Sequence, residues 1–529
     1  MSSPTSEVFL ISLINRFEST PIRLRVLDED GRQSELRIEQ LGELTGLVIT
    51  HNLSLLIGAM RRAGISLNAT FIDIEEALKL ASQISKDQGG EKQWSFWKQI
   101  ALAMDSQHAR TMVGVLNSEI PLPADEATEQ LVSESVVALS QLWNATKEAL
   151  GTRNELARFW EIEVPVQQIF LRREWAGIQL RADIANEFIK SSATEKYSLF
   201  SRIAEEIGES PLGLSDQKLT AKLLGPSAVV DASDQFALEG WVEMAAMRSQ
   251  WASVLYDYLR AKRDERILRE AVVLDEKIYP RFHVHGTVTS RILVSEPRIQ
   301  NLRKRFRSIV AADDGYRLCY LDYAQFEPAI LGVLSRDQTL IDGYAAGDLY
   351  LTLAEAMGEG AGARDSAKKI FLSFLYGMSE SGIAGLLSDE GGSNGEERKV
   401  SSFFSRFKTV EGFRRNAQSI LAKDGLVATP LGNGRRRTRN GPLNAKESRW
   451  ALNHMIQGTA SLIFKRALLK ISAQFGWQSI LLPMHDAVLL QFSEDSSRDY
   501  FLGSCIDAMK AAFRETCPGI EVRVTVGDF

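Results

Sequence analysis

The sequence predicts an α+β fold built from several domains. Three observations carry this: the length of 529 residues exceeds what one hydrophobic core serves, strand-like apolar runs occur near the start and again in the second half, and between them apolar residues repeat at three and four spacing. In residues 1–150, IRLRVL and GLVIT read as strands and LLIGAMRRAGI as a helix, a small α/β unit. From 151 to about 277, ADIANEFIKSSATEKYSLFSRIAEEIG and WVEMAAMRSQWASVLYDYLRAKRDERILREAV have helical periodicity and predict a helical arm. Strand signals return in RFHVHGTVTSRILV and YRLCYLDY. Helices then fill about 346–425, broken by the Gly-rich GEGAGA and DEGGSNGEE, and SILLPMHDAVLLQF supplies a last strand pair.

The formal net charge of −6 does not favour a polyanion partner, but local charge does. From Arg281 to Val310 seven basic residues face one acidic residue, and Arg435, Arg436, Arg437 and Arg439 form a second knot. Either cluster alone also fits a solvated face. Cys319, Cys505 and Cys517 are few, scattered and set in apolar stretches, which points to buried thiols in a reducing compartment. His283 and His285 lack the neighbours of a zinc site. MSSPTSEVFLISLINRFEST lacks the features of a secretion signal, and no run of 18 apolar residues occurs, so a cytoplasmic protein without membrane association is expected.

Two carboxylates stand out. Asp322 follows the apolar run YRLCYL and precedes EPAILGVL, with helical spacing, so it lies at a strand end. Asp486, in MHDAVLL, falls with His485 near the tip of a hairpin. A carboxylate in so apolar a setting needs a cation or hydrogen bonds, and hard oxygen ligands suit Mg²⁺; two strand-ending turns are the alternative. In ARDSAKKIFLSFLYGMS, Arg364, Lys368, Leu372 and Tyr376 are four apart and share one helical stripe running from cationic to apolar. That stripe suits a triphosphate with its sugar and base. A core-facing helix with two solvated cations would read the same.

The succession GTVTSRILVSEPRIQN, LDYAQFEPAIL, RDSAKKIFLSFLYG, NHMIQGTA and MHDAVLL resembles the motif series of family A DNA polymerases, the group of bacterial DNA polymerase I. The resemblance covers about 281–529 well, weakens through the helical arm and is faint before 150. It implies a right-hand polymerase with a small α/β exonuclease-like N-terminal domain: a degenerate 3′–5′ exonuclease-like domain over 1–150, a thumb over 151–280, the palm over 281–345 and 446–529, and fingers over 346–445. It further implies a monomer that adds dNTPs to a primer 3′ end on primer-template DNA with two Mg²⁺ ions, its processivity or replisome partner unidentified.

Residue by residue, the resemblance makes Asp322, Asp486 and the carbonyl of Tyr323 metal ligands, with Lys368 as the acid for the leaving group. Arg364 and Lys368 grip the phosphates, while Gln325, Tyr350, Leu372 and Tyr376 line the nucleotide. Glu327 fills the space of a ribose 2′-hydroxyl, so deoxynucleotides are preferred and an RNA polymerase is disfavoured; an RNA template stays open. Arg291, Asn453 and Gln457 follow the minor groove, where acceptors shared by every correct pair allow its shape to be checked. Asn301, Arg435, Arg449 and His485 line primer or template, the knots around Arg303 and Arg435 gripping backbone.

Several positions depart from the family pattern. Ala487 replaces the Glu of the usual His-Asp-Glu, Leu372 an aromatic residue, Tyr350 a His and Ala329 a common Arg. A binding relative without activity is therefore an alternative. For the exonuclease, the chain looks too short at its start to supply the Asp-x-Glu strand, LDED at 27–30 is a poor substitute, and Leu56 and Ser135 stand where acids are expected, so no proofreading and no 5′ nuclease is expected. The thumb stretch from Gly225 to Trp241 looks short.

Overall fold

The computed structural model of the chain describes all residues except 1–5, 15–20, 91–93, 104–125, 226–234, 247–248, 273–275, 359–362, 379–382, 384–397 and 399–400. The very start of the chain, most of both Gly-rich breaks and much of the 225–241 stretch lie outside the described residues.

The N-terminal unit is a five-stranded sheet of β1 (Glu7–Ile14), β2 (Pro21–Leu27), β3 (Gln33–Glu35), β4 (Leu47–Thr50) and, after helix α1 (Leu53–Arg62), β5 (Thr70–Asp73). Its order is β3-β2-β1-β4-β5, with β1 antiparallel to β2 but parallel to β4. Side chains alternate between two apolar layers: Leu10, Val48 and Phe71 join the layer of α1, while Ile11, Ile49 and Ile72 join the layer of Trp143. A sheet covered on both faces explains why its strands read as continuous apolar runs. Strand β1, at the centre of the sheet, is not among the strands expected from sequence. It carries one acid, Glu7, paired with Lys147, and no Asp-x-Glu, and Asp28, Glu29 and Asp30 sit in the turn between β2 and β3.

Helices α2 (Ile74–Ser82) and α3 (Glu126–Thr152) cover the Trp143 side. Helix α4 (Val164–Ala176) then threads the body, where the buried Arg173 donates to the carbonyls of Ile480 and Gln478 at 3.0 and 2.7 Å. The arm consists mainly of α5 (Ala182–Ile207) and α6 (Gln250–Val272), joined through Leu199, Ile203, Leu255 and Leu259.

The second sheet carries the candidate site. Its central strand β6 (Tyr316–Tyr323) is followed by α7 (Phe326–Ser335), α8 (Leu349–Ala356) and α9 (Arg364–Leu375). The hairpin β7 (Leu426–Thr429) and β8 (Gly432–Arg436) leads into α10 (Ala445–Phe475). Asn444 and Glu447 close a reciprocal cap at the start of α10, each side chain accepting from the other's main-chain N–H at 2.8 and 3.0 Å. Strands β9 (Ile480–Met484) and β10 (Ala487–Ser493), helix α11 (Arg498–Thr516) and strand β11 (Val524–Gly527) complete the order β9-β10-β6-β11. The largest core joins α7, α9, α10 and α11 to this sheet. No described helix is long and apolar enough to cross a membrane.

Candidate active site

Strand register brings the two carboxylates together. Asp322, at the end of β6, pairs with Ala487, and the next main-chain N–H, of Tyr323, donates to the Asp486 carbonyl at 3.4 Å. Met484 and Ala487 pair across a two-residue turn made of His485 and Asp486, the former left-handed at φ 65°. The Tyr323 ring stacks on Phe326 at 4.1 Å and its hydroxyl donates to the Met509 carbonyl at 2.7 Å, so only its main chain is left to face the site.

Burial and the neighbouring Asp486 push the Asp322 carboxyl up from its ordinary 3.8 to about 7, against the pull of Lys368 and Arg307. Among the described residues neither carboxylate has an ion pair, and no group of three His, Cys, Asp or Glu side chains forms a metal cage. Two carboxylates held close, with no ion pair among the described residues, fit a divalent cation that completes its shell with substrate and water oxygens.

Helix α9 settles which way its stripe faces. Ala367, Ile370, Phe371, Phe374 and Leu375 enter the core, whereas Arg364 and Lys368 lie on the other side, with Leu372 and Tyr376 only partly covered. Leu372 and Tyr376 pack against that core, so this placement fits both a triphosphate-binding stripe and a core-facing helix with two solvated cations. Lys368 is exposed and close enough to draw the Asp322 carboxyl down. Arg364 donates to Asp348 at 2.7 Å and lies over the Tyr350 ring at 5.5 Å. Asp348 was missed from sequence, although an Asp before the helical LYLTLAEA is a capping signal; its carboxylate accepts from the N–H groups of Tyr350 and Leu351.

A second cluster stands beside the first. Arg291 donates to Glu327 at 2.7 Å, and the Tyr376 hydroxyl reaches Glu327, Arg291 and Gln457. Burial pushes the Glu327 carboxyl up, partly offset by Arg291. Burial opposes the charge on Arg291, but Glu327, Tyr376 and Asp486 more than offset it. Arg449, Asn453 and Gln457 follow one another at four spacing on α10, and the Arg449 backbone packs on Gly377, next to Tyr376. One buried oxygen of Glu327 and the Oδ1 of Asn453 have no hydrogen-bond partner.

Other expected contacts are placed differently. The Gln325 side-chain oxygen caps the N–H of Leu349 at 3.0 Å instead of lying free for a nucleotide. Arg435 is corrected: it is buried, donates to Ser85 and Gln88 of the N-terminal unit at 3.0 and 3.3 Å, and stacks on Trp450 at 4.2 Å. Arg303 is likewise engaged by Glu195 and Asp264. The two basic knots are thus partly internal cross-links. Asn301 ends a short 3-10 turn, half-buried, and His485 is exposed at its hairpin.

Of the exonuclease-like positions, Leu56 belongs to one apolar layer and Ser135 is fully covered, whereas Glu29 and Asp30 are exposed in their turn. On β1 the N–H of Ser12 donates to His51, whose ring stacks on Phe96 and meets Trp97 edge-on, 4.8 Å from each.

The sequence model of DNA polymerase family A matches residues 244–528. DNA polymerase I of Pseudomonas aeruginosa is 27% identical over 417 residues, 70% of this chain and 44% of that protein. DNA polymerase I of Mycobacterium tuberculosis is 25% identical over 476 residues, 81% and 52% of the two chains. The chain thus spans about half the length of the curated relatives it matches. Among solved structures, the POL domain of Pol1 from M. smegmatis, in complex with DNA primer-template and dNTP, superposes with a TM-score of 0.75 at 21% identity, covering 99% of this chain and 95% of that one.

Proposed function

The chain belongs to DNA polymerase family A, and from that premise we propose that it extends a primer 3′ end with dNTPs on a DNA template, without proofreading. The observation that carries the proposal is the pair Asp322 and Asp486, two neighbouring carboxylates that raise each other's charge cost, with Lys368 of α9 close by. Asp322, Asp486 and the Tyr323 carbonyl would hold divalent cations, two Mg²⁺ in this reading, which would supply the charge to acidify the primer hydroxyl and neutralise the triphosphate.

The chain's own residues do the rest. Arg364 and Lys368 bind the phosphates from the exposed face of α9, and Lys368 donates a proton to the departing pyrophosphate. Tyr376 and Leu372 cover the base and sugar, with Tyr350 beneath Arg364. Glu327 occupies the place of a 2′-hydroxyl, held there by Arg291. Arg291, Asn453 and Gln457 offer donors to the minor groove, with Arg449, Asn301 and His485 further along primer and template. The palm is the β9-β10-β6-β11 sheet, the fingers carry α9, and the thumb is α5 with α6. The absence of proofreading is supported by Leu56 and Ser135, uncharged where acids are expected, and among the described residues no group of three His, Cys, Asp or Glu could hold a metal ion.

Primer extension with Mg²⁺ and four dNTPs tests both parts. Extension is expected from wild type, with loss in Asp322→Asn and Asp486→Ala. A 3′-mismatched primer is expected to stay intact. No extension by wild type, or full extension by Asp486→Ala, would remove the polymerase reading; shortening of the mismatched primer would remove the other.

A further inference from the structure

Arg291 follows a residue with an unusual conformation. Ser290 is fully buried and has φ 62°, a region that a side chain other than glycine rarely adopts, so something must hold it there. The hydroxyl shows what does. Ser290 Oγ donates to Glu163 Oε1 at 2.7 Å, accepts from Lys465 Nζ at 2.5 Å, and lies 3.1 Å from His285 Nδ1. Lys465 also donates to Glu163 Oε2 at 2.5 Å, and Arg158 lies 3.5 Å from Glu163 Oε1. Burial holds His285 neutral, down at about 3, and with the Ser290 proton given to Glu163 the contact at Nδ1 requires the tautomer in which that nitrogen donates. The hydroxyl thereby gives one hydrogen bond and takes two, its full capacity.

The loop is fixed from its other side as well. The Ser290 N–H donates to the Thr287 carbonyl at 2.8 Å, the Arg291 N–H to the Thr287 hydroxyl at 3.1 Å, and the Gly286 N–H to the Arg291 carbonyl at 3.0 Å. Arg291 leaves this loop toward Glu327 and Tyr376. The anchors come from distant parts of the chain: Glu163 precedes α4, and Lys465 is two turns beyond Gln457 on α10.

We propose that Ser290 is a positioning residue, clamped by Glu163, Lys465 and His285, which fixes the direction of Arg291 and so sets the discrimination between matched and mismatched base pairs. The inference rests on the minor-groove role proposed for Arg291. Neither anchor touches the nucleotide; both act through the main chain at 290.

Ser290→Gly tests it, because glycine adopts φ 62° without strain and the variant folds while the clamp opens. Matched and mismatched single-nucleotide insertion would be measured with kcat and KM resolved, in wild type, Ser290→Gly, Glu163→Gln, Arg291→Ala and the Ser290→Gly/Arg291→Ala double variant. The expected result is a fall of about tenfold in the matched-to-mismatched ratio of kcat/KM for Ser290→Gly, the scale of a displaced positioning group, and a smaller fall in the same direction for Glu163→Gln. In the Arg291→Ala background, Ser290→Gly should cause no further loss. An unchanged ratio in Ser290→Gly, or full additivity in the double variant, would overturn the positioning role while leaving Arg291 in place. An unchanged ratio in Arg291→Ala would instead overturn the role of Arg291, and the inference with it.

Discussion

Arg364 is held by Asp348: its Nε and one terminal nitrogen each lie 2.7 Å from the same carboxylate oxygen. The two side chains are 41% and 22% exposed, so the pair stabilises by only about 0.5–1 kcal/mol. A triphosphate approaching Arg364 meets the Asp348 charge as a competitor. Asp348→Asn keeps the cap on α8, since Asn also caps, and removes the charge. The expected outcome is a KM for dNTP lower by about two- to fivefold with kcat unchanged. A higher KM would mean that Asp348 orients Arg364 instead of competing for it.

Glu327 is expected to act twice, on the sugar and on Arg291. In Glu327→Ala the space opens and Arg291, 33% exposed, loses its partner. Ribonucleotide incorporation should rise by about an order of magnitude or more, and stability should fall by about 1–3 kcal/mol. Glu327→Gln keeps the volume and should retain sugar selection. Primer extension with rNTPs beside thermal unfolding reads both effects; unaltered sugar selection in the alanine variant rules out the steric role.

Asp322, Asp486 and the α9 stripe were legible because local pattern decides them. An apolar strand ending in Asp, a hairpin tip and a spacing of four each fix where a side chain goes before the rest of the chain is considered. Arg435 and Gln325 were not legible for the opposite reason. Ser85 and Gln88 capture Arg435 from about 350 residues away, and Gln325 is taken by an N–H 24 residues on; a basic knot looks the same whether its charges meet phosphate or protein. Ser290 lies between. Its place before Arg291 was visible, but its left-handed backbone and its partners at 163 and 465 exist only in the fold. Strand β1 was not legible because a short apolar run such as Phe9, Leu10 and Ile11, buried on both faces, lacks the alternation that marks a strand.

Arg435 should therefore behave as a structural cross-link. Arg435→Ala is expected to lower stability by about 2–5 kcal/mol, since Ser85, Gln88 and Trp450 lose their partner. The slope of log affinity for primer-template against log salt should not change. A slope reduced by about one would show that Arg435 neutralises a phosphate after all.

Glu76 joins the N-terminal unit to the loop of Ser290. It lies 2.5 Å from Lys79 and 3.9 Å from His283, and accepts the His285 N–H at 3.3 Å. Burial alone would push its carboxyl up, but Lys79 and His283 more than offset this and hold it well below the ordinary 4.5. A carboxyl depressed in the folded state contributes stability that is fully present above its unfolded pKa and is lost as pH falls below it. Wild type should thus exceed Glu76→Gln in Tm at pH 6–8, and the difference should shrink on acidification below about pH 4.5. A difference that does not change with pH would assign the effect to packing.

Leu56 offers a test of how far the N-terminal unit has moved from nuclease chemistry. It is fully buried in the layer with Leu10, Ile57 and Phe71. An aspartate there would enter an apolar layer, and Ser135 supplies no charge to help it bind a metal. Leu56→Asp should destabilise by several kcal/mol, about 3 or more, as an uncompensated buried carboxyl does. It should not produce 3′ mismatch excision. Excision by this single variant would mean that the N-terminal unit can still hold a metal, and the reading of Ser135 as inert would be wrong. Destabilisation without excision is what a sheet packed by apolar layers on both faces requires, since a carboxylate placed in either layer has only hydrocarbon to meet.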